Sequence, residues 1–392
     1  MNKQKIRAAI LAISSVVMIT LIASAVLADI AAQFPNIDKS VIQMVLTIPS
    51  LVGMVISLMS GPLSSRVSKK SLVLYGLVLA LAGGFLALVF GKVNIYILLF
   101  SSVLVGISSG INGTLTMSLI ADYFTGDERS SLMGLQSAFV NGGSMVILFI
   151  SAMLAGIQWN YAYLVYIILI PVIFIVAKNL PDDKPVKADK SENNSSDKLS
   201  TTVYYICFIL FLFSTLLGIF QTNIAMFISD NNLGDASTTG LVNSVMTGAG
   251  AFTGVIYGRL KKLLKNYVMA VSIGATALGM LLIYTSGSLP SIFIAGILSG
   301  FGLSTMMPTA MFTVSAVTSP AKNATAIAIT NAASSIGMFI SPLIVNPIVN
   351  KLFNGAEEIK FLFAAAGLII VAAIYIFVNI GMGKKAAQPA ME

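Results

Sequence analysis

The sequence has no histidine and a single cysteine, Cys207, in 392 residues. Without histidine there is no imidazole base, proton relay or metal ligand. One thiol excludes both a disulfide framework and a cysteine-built metal site. Charge is scarce as well. Asp, Glu, Lys and Arg make up 10% of the chain, where soluble domains carry about a quarter. No GxxxxGK[ST] phosphate loop is present, so ATP-driven work by this chain alone is not expected. No positioned base, nucleophile or carboxylate cluster is visible, so the sequence predicts no catalytic residue, no metal and no cofactor, and argues against an intramembrane enzyme.

What fills the chain is apolar: 57% of residues are hydrophobic and the mean hydropathy is +0.92. Runs of about 18 or more such residues with few charges are membrane spans. Twelve follow one another, at 8–28, 41–63, 72–90, 95–121, 131–156, 160–177, 203–228, 238–258, 268–287, 290–316, 325–349 and 359–381. They do not alternate as strands of a β-barrel would. The predicted class is an all-α membrane protein with 12 transmembrane helices. The first run, with its basic start and small residues near Ala28, imitates a secretory signal, but it is read as a retained helix because the even span count and the charge distribution need it.

The net charge of +8 does not point to nucleic acid, because the cations sit in loops. If the N-terminus is cytoplasmic, 19 of the 23 lysines and arginines fall on that side, leaving only Lys39, Lys92, Lys351 and Lys360 outside. The positive-inside rule then puts both termini in the cytoplasm of a bacterial-type plasma membrane. The longest polar interval, NLPDDKPVKADKSENNSSDKLS, reads as a solvated linker. It divides the chain into an N-terminal six-helix half (1–178), a cytoplasmic linker (179–200) and a C-terminal six-helix half (201–392).

The halves resemble each other. GISSG begins at Gly106 and GILSG at Gly296, 190 residues on. Gly61-Pro62-Leu63 and Gly258-Arg259-Leu260 each precede basic residues, 197 apart. Both halves start and end on the same side, so they form parallel pseudo-repeats. The glycines at 106/110, 250/254/258 and 296/300 give small faces for close packing, and also suit movement. Pro49, Pro171, Pro308 and Pro342 lie inside spans and permit bends.

The stretch GPLSSRVSKK (61–70) resembles the major facilitator superfamily pattern G-x-L-x-D-R-x-G-R-K. Gly61, Leu63, Arg66, Lys69 and Lys70 agree in kind, while Ser65 and Ser68 stand in place of the aspartate and second glycine. The segment SLIADYFTGDERSSLMGLQSA looks like the same family's passage from span four to span five. The resemblance covers essentially the whole chain. It implies the family's fold and a latch between cytoplasmic helix ends, formed by Gly61, Arg66, Lys69, Lys70, Asp122 and Arg129 with Arg66–Asp122 as the candidate pair. The competing reading is a solvated loop charge beside an ordinary helix-end carboxylate. Two family signals are missing: Ser102 stands where span four usually carries an arginine, and NGGSM (141–145) lacks the proline of the proton-antiporter element. Proton-driven drug export is weakened accordingly.

A charge at mid-membrane costs several kcal/mol and is kept where a pathway uses it. None is expected within the spans here, so a cavity would be lined by neutral groups. The candidates for substrate binding are Asn112, Gln136, Asn141, Gln221, Asn243, Met307 and Asn331, with Asn223 beside them. Each amide could equally bond a neighbouring helix, and Met307 beside Pro308 could be core packing. Asp29 is the one candidate for proton coupling; its plain alternative is an exposed helix-end carboxylate near Asp38 and Lys39. The leading expectation is a monomeric secondary transporter in the lipid bilayer. It would move a small neutral or weakly polar organic solute by alternating access, with export slightly favoured and proton coupling open. The alternatives are a proton-coupled multidrug exporter of lipophilic compounds and a non-transporting sensor of the same fold.

Overall fold

A computed structural model describes residues 3–182, 199–318, 320–353 and 356–386. Among them the regular structure is helical, in agreement with the all-α expectation. In chain order the α-helices are α1 (Lys3–Val16), α2 (Ala23–Gln33), α3 (Lys39–Ser64), α4 (Lys69–Phe90), α5 (Ile95–Tyr123), α6 (Gly126–Ala155), α7 (Leu169–Asn179), α8 (Thr201–Asp230), α9 (Ala236–Leu264), α10 (Val268–Ser286), α11 (Leu289–Ala316), α12 (Pro320–Phe353) and α13 (Glu357–Ala386). Ten of the twelve expected apolar runs each coincide with one of these to within about six residues, while the first extends over α1, a 3-10 segment and α2, and the sixth over a 3-10 segment and α7. Most of the expected linker, 183–198, lies outside the described residues.

Among the described residues, eleven helical stretches are long and apolar enough to cross a membrane. One of them, Ala236–Ser286, has 51 residues and contains both α9 and α10, joined by a 3-10 turn at Lys265–Tyr267. A single crossing needs about 20 residues.

Polar residues at the turns start the helices by meeting bare backbone N–H groups. Asp38 accepts from the Ser40 N–H at 2.8 Å before α3, and Asn94 from the Tyr96 N–H at 2.9 Å before α5. Ser68 caps α4 through the Ser71 N–H at 3.3 Å.

The bends differ from those expected. Pro49, Pro308 and Pro342 remain inside unbroken α3, α11 and α12. The first span instead breaks where no proline or glycine stands: Val17–Ile22 (VMITLI) winds as a 3-10 helix between α1 and α2, with Met18 at φ −90, ψ 16. The sixth begins with a 3-10 segment, Trp159–Ile168, that passes into α7 two residues before Pro171.

The chain forms two compact units. The first holds Met1–Ser195 together with Gln221–Gly248, and the second holds Ser196–Phe220 with Ala249–Glu392. The helices α8 and α9 are therefore each shared between units. Within the first unit, α5 packs between α3 and α4, and α1 packs on α6 and α7. Gly106 and Gly110 make the α3–α5 approach possible, because a Cβ on either would run into Pro49, Val52 or the Gly53 backbone. Ser101 donates to the Gly83 carbonyl at 2.7 Å and Ser57 bonds Thr114 at 2.6 Å across the same helices. Within the second unit, α10 packs on α11 and α13, with Ser272 and Thr305 hydroxyls 2.6 Å apart. The α8 segment of that unit meets α12 through Ser214 and Ser334 at 2.7 Å. Of the α9 glycines, Gly250 faces Ser304 and Gly300, while Gly254 and Gly258 face open space.

Candidate functional site

A polar side chain buried among apolar helices must find a partner or leave a bare dipole, so such groups mark the candidate site. In the first unit they gather at three levels. The first is the end carrying the turns after α2 and α8. Gln43 of α3 is fully buried. Its Nε2 donates to the Thr222 carbonyl at 3.0 Å and to Asn223 Oδ1 at 2.8 Å, with Met226 Sδ at 3.6 Å. Asn243 of α9 donates to Ser24 Oγ of α2 at 2.9 Å, and Ser237 to the Ala152 carbonyl of α6 at 2.8 Å. Gly240 lets α9 close on α6, since a Cβ there would meet Ala152. At the exposed margin Lys39 stands 3.6 Å from Asp230. The buried bonds join neutral groups, and each is worth only about 0.5–1.5 kcal/mol net. That makes the contact firm in sum and separable.

Asn112 lies at the middle level, buried on α5 with its Nδ2 3.0 Å from Ser108 Oγ, beside a small cavity at the break of the first span. At the opposite end of the bundle the charges meet. Lys69, in the first turn of α4, reaches Asp122 at 2.5 Å and Ser118 Oγ at 2.7 Å, one turn apart on α5. Lys3 of α1 pairs with Glu128 of α6 at 2.7 Å and lies 5.8 Å from the centre of the Phe124 ring. Ser68 donates to Asp182 at 2.6 Å.

Two expectations need correction. Asp122 pairs with Lys69, not with Arg66. The α4 helix lies along α5, so its first-turn residue meets Ser118 and Asp122, while Arg66 sits in the preceding turn with its side chain exposed. A charge is also buried at the end of a span, in the first turn of α13. Lys360, expected in a loop, is 1% exposed on α13 and pairs with Glu357 one turn back at 2.8 Å. The neighbouring carboxylate neutralises it, which is how a lysine is tolerated in such a place.

The remaining candidates scatter. Gln136 is buried on α6, Asn141 is half-buried and bonds its own helix at the Ser137 carbonyl (2.9 Å), and Gln221 is half-buried on α8. Met307 is half-buried on α11 and Asn331 exposed on α12. Among the described residues no hydrogen bond joins any two of the seven candidates. Asp29 is half-buried in α2. Gln43 and Ser24 were not singled out in the sequence, although an amide inside an apolar run was the available signal.

The Major Facilitator Superfamily family model matches residues 8–260 and 206–388. The chain belongs to the Major Facilitator Superfamily. A curated relative, multidrug resistance protein D of Escherichia coli (strain K12), is 26% identical over 200 residues; the match spans 49% of this chain and about half, 49%, of the relative. Among solved structures, the POT family transporter PepTSo superposes with a TM-score of 0.76 at 13% identity, covering 96% of this chain and 98% of that one. The nucleoside transporter NupG gives 0.73 at 14%, covering 95% and 99%. At these identities the structures show the fold alone. The family and fold make this chain a multi-pass membrane transporter rather than an enzyme.

This superfamily member uses serines where family residues are missing. Ser102 donates to the Val45 carbonyl of α3 at 2.7 Å and so staples α5 to α3. Ser65 turns back to the Pro62 carbonyl at 2.7 Å and Ser64 to that of Gly61 at 2.8 Å, closing the end of α3. A side chain at Gly61 would meet open space.

Proposed function

We propose that this transporter is a secondary carrier that moves a small neutral or weakly polar organic solute by alternating access. Its two six-helix halves, 1–178 and 201–392, would exchange contacts at the membrane surfaces, with both termini cytoplasmic in a bacterial-type plasma membrane and one chain sufficient for function. The observation that carries the reading is the separable contact of Gln43, Ser24 and Ala152 with residues 221–248. With the termini inside, this contact is an outer closure made of neutral groups, and opening outward breaks it. Lys69–Asp122 is the corresponding cytoplasmic latch, with Gly61, Arg66, Lys70 and Arg129 as its further candidate members. Gln136, Asn141, Gln221, Asn243, Met307 and Asn331 supply neutral polar or pliable groups, which suit a cargo without net charge. Export is favoured because the relative in Escherichia coli is named for multidrug resistance.

A second reading is a proton-coupled multidrug exporter of lipophilic compounds using Asp29; the relative's name supports its multidrug part alone. Counterflow in proteoliposomes tests both. Exchange that persists without a pH gradient and survives Asp29→Asn supports the first reading. Exchange that requires the gradient and is lost in Asp29→Asn supports the second. Absence of exchange for any of a broad panel of neutral and lipophilic solutes contradicts both.

A further inference from the structure

The cavity beside the first span is too small for an organic cargo. Val17, Thr20, Ala80, Ser108, Asn112 and Leu169 help line it, so the first span, α4, α5 and α7 all contribute walls. Its free volume of about 10 Å³ suits a single water molecule. Asn112 is 3% exposed and held in place. Gly76 makes room for its amide, because a Cβ there would come within 2.9 Å of Nδ2, and Ser108 engages one end of the group. The other end, Oδ1, is buried with no hydrogen-bond partner. Turning the amide over would leave its N–H group bare instead, so the missing partner has to serve as donor or acceptor alike. Water does both.

The adjacent backbone points the same way. Helices break at proline, at glycine or where a side chain or water inserts, and VMITLI has neither residue. Hydroxyls already meet carbonyls on this segment: Tyr166 reaches that of Ile19 at 3.4 Å and Ser24 that of Leu21 at 2.6 Å.

We propose that this cavity is a hydration site, in which one ordered water hydrogen-bonds Asn112 and supports the break of the first span at Val17–Ile22. The polar lining is amide and hydroxyl with no carboxylate to balance a cation, which favours water over a metal ion. The site lies within the first unit and stands whether or not the cargo reading is right. The test is a high-resolution density map of the full chain in lipid nanodiscs, in sodium buffer and in sodium-free choline buffer. Wild type, Asn112→Leu and Gly76→Ala are compared, the last because its methyl displaces the amide. The expected result is one peak within hydrogen-bonding distance of Asn112 in both buffers, lost in both variants. A dry cavity in the wild type, a peak that disappears without sodium, or a peak that persists in the variants overturns the proposal. Should Asn112→Leu fail to fold, the wild-type maps and Gly76→Ala still decide.

Discussion

At Lys360, in the first turn of α13, a lysine is buried against the carboxylate of Glu357 one turn away. Removing one partner of a buried pair costs about 3–5 kcal/mol. Lys360→Met should therefore lower the thermal unfolding temperature of the purified protein strongly. Adding Glu357→Gln should restore most of the loss, and a double variant no better than the single one would refute the pairing. The Lys69–Asp122 contact is different, since both side chains are partly solvated, at 27% and 44% exposed. Such pairs are worth roughly 0–1 kcal/mol, so Lys69→Ala should hardly move the unfolding temperature. It should change the labelling of cytoplasmic-end cysteines more than Arg66→Ala does; equal effects would return the latch to Arg66. Residues such as Lys360 and Lys69 were hard to assign from sequence. Position along the chain indicates depth, but partner choice depends on which neighbouring helix face is presented.

Helices were far more legible than their partners. Apolar runs bounded by Asp38, Ser68 and Asn94 specify where α3, α4 and α5 begin, because an apolar core length and a polar cap are both local properties. The break at Val17–Ile22 was invisible for the opposite reason: nothing local requires it, and the helices it packs against, chiefly α6 and α5, are remote in sequence. Glycine shows the same division. Gly110 and Gly134 look alike in sequence, yet a side chain at Gly110 would strike the α3 backbone while one at Gly134 meets nothing. Gly110→Ala should destabilise by about 1–3 kcal/mol through overpacking, whereas Gly134→Ala should be neutral or stabilising by about 0.5–1 kcal/mol. Thermal unfolding of the two variants side by side checks this, and similar shifts would show that α3 and α5 are not in such close contact.

For the molecule as a whole, the two units do not coincide with the sequence repeats. Residues 221–248 leave their own half and join the first six spans through neutral hydrogen bonds. Hydropathy could not reveal this, since Gln43 and Asn223 are 180 residues apart and each is merely an amide in an apolar run. On the proposed mechanism those residues change partners in every cycle. The most direct measurement replaces Gln43 and Asn223 with cysteines in a Cys207→Ser background and joins them with a short thiol cross-linker in proteoliposomes. The account predicts that transport stops on cross-linking and returns when a cleavable linker is reduced, with either single cysteine unaffected. Full transport by the cross-linked double variant would contradict it.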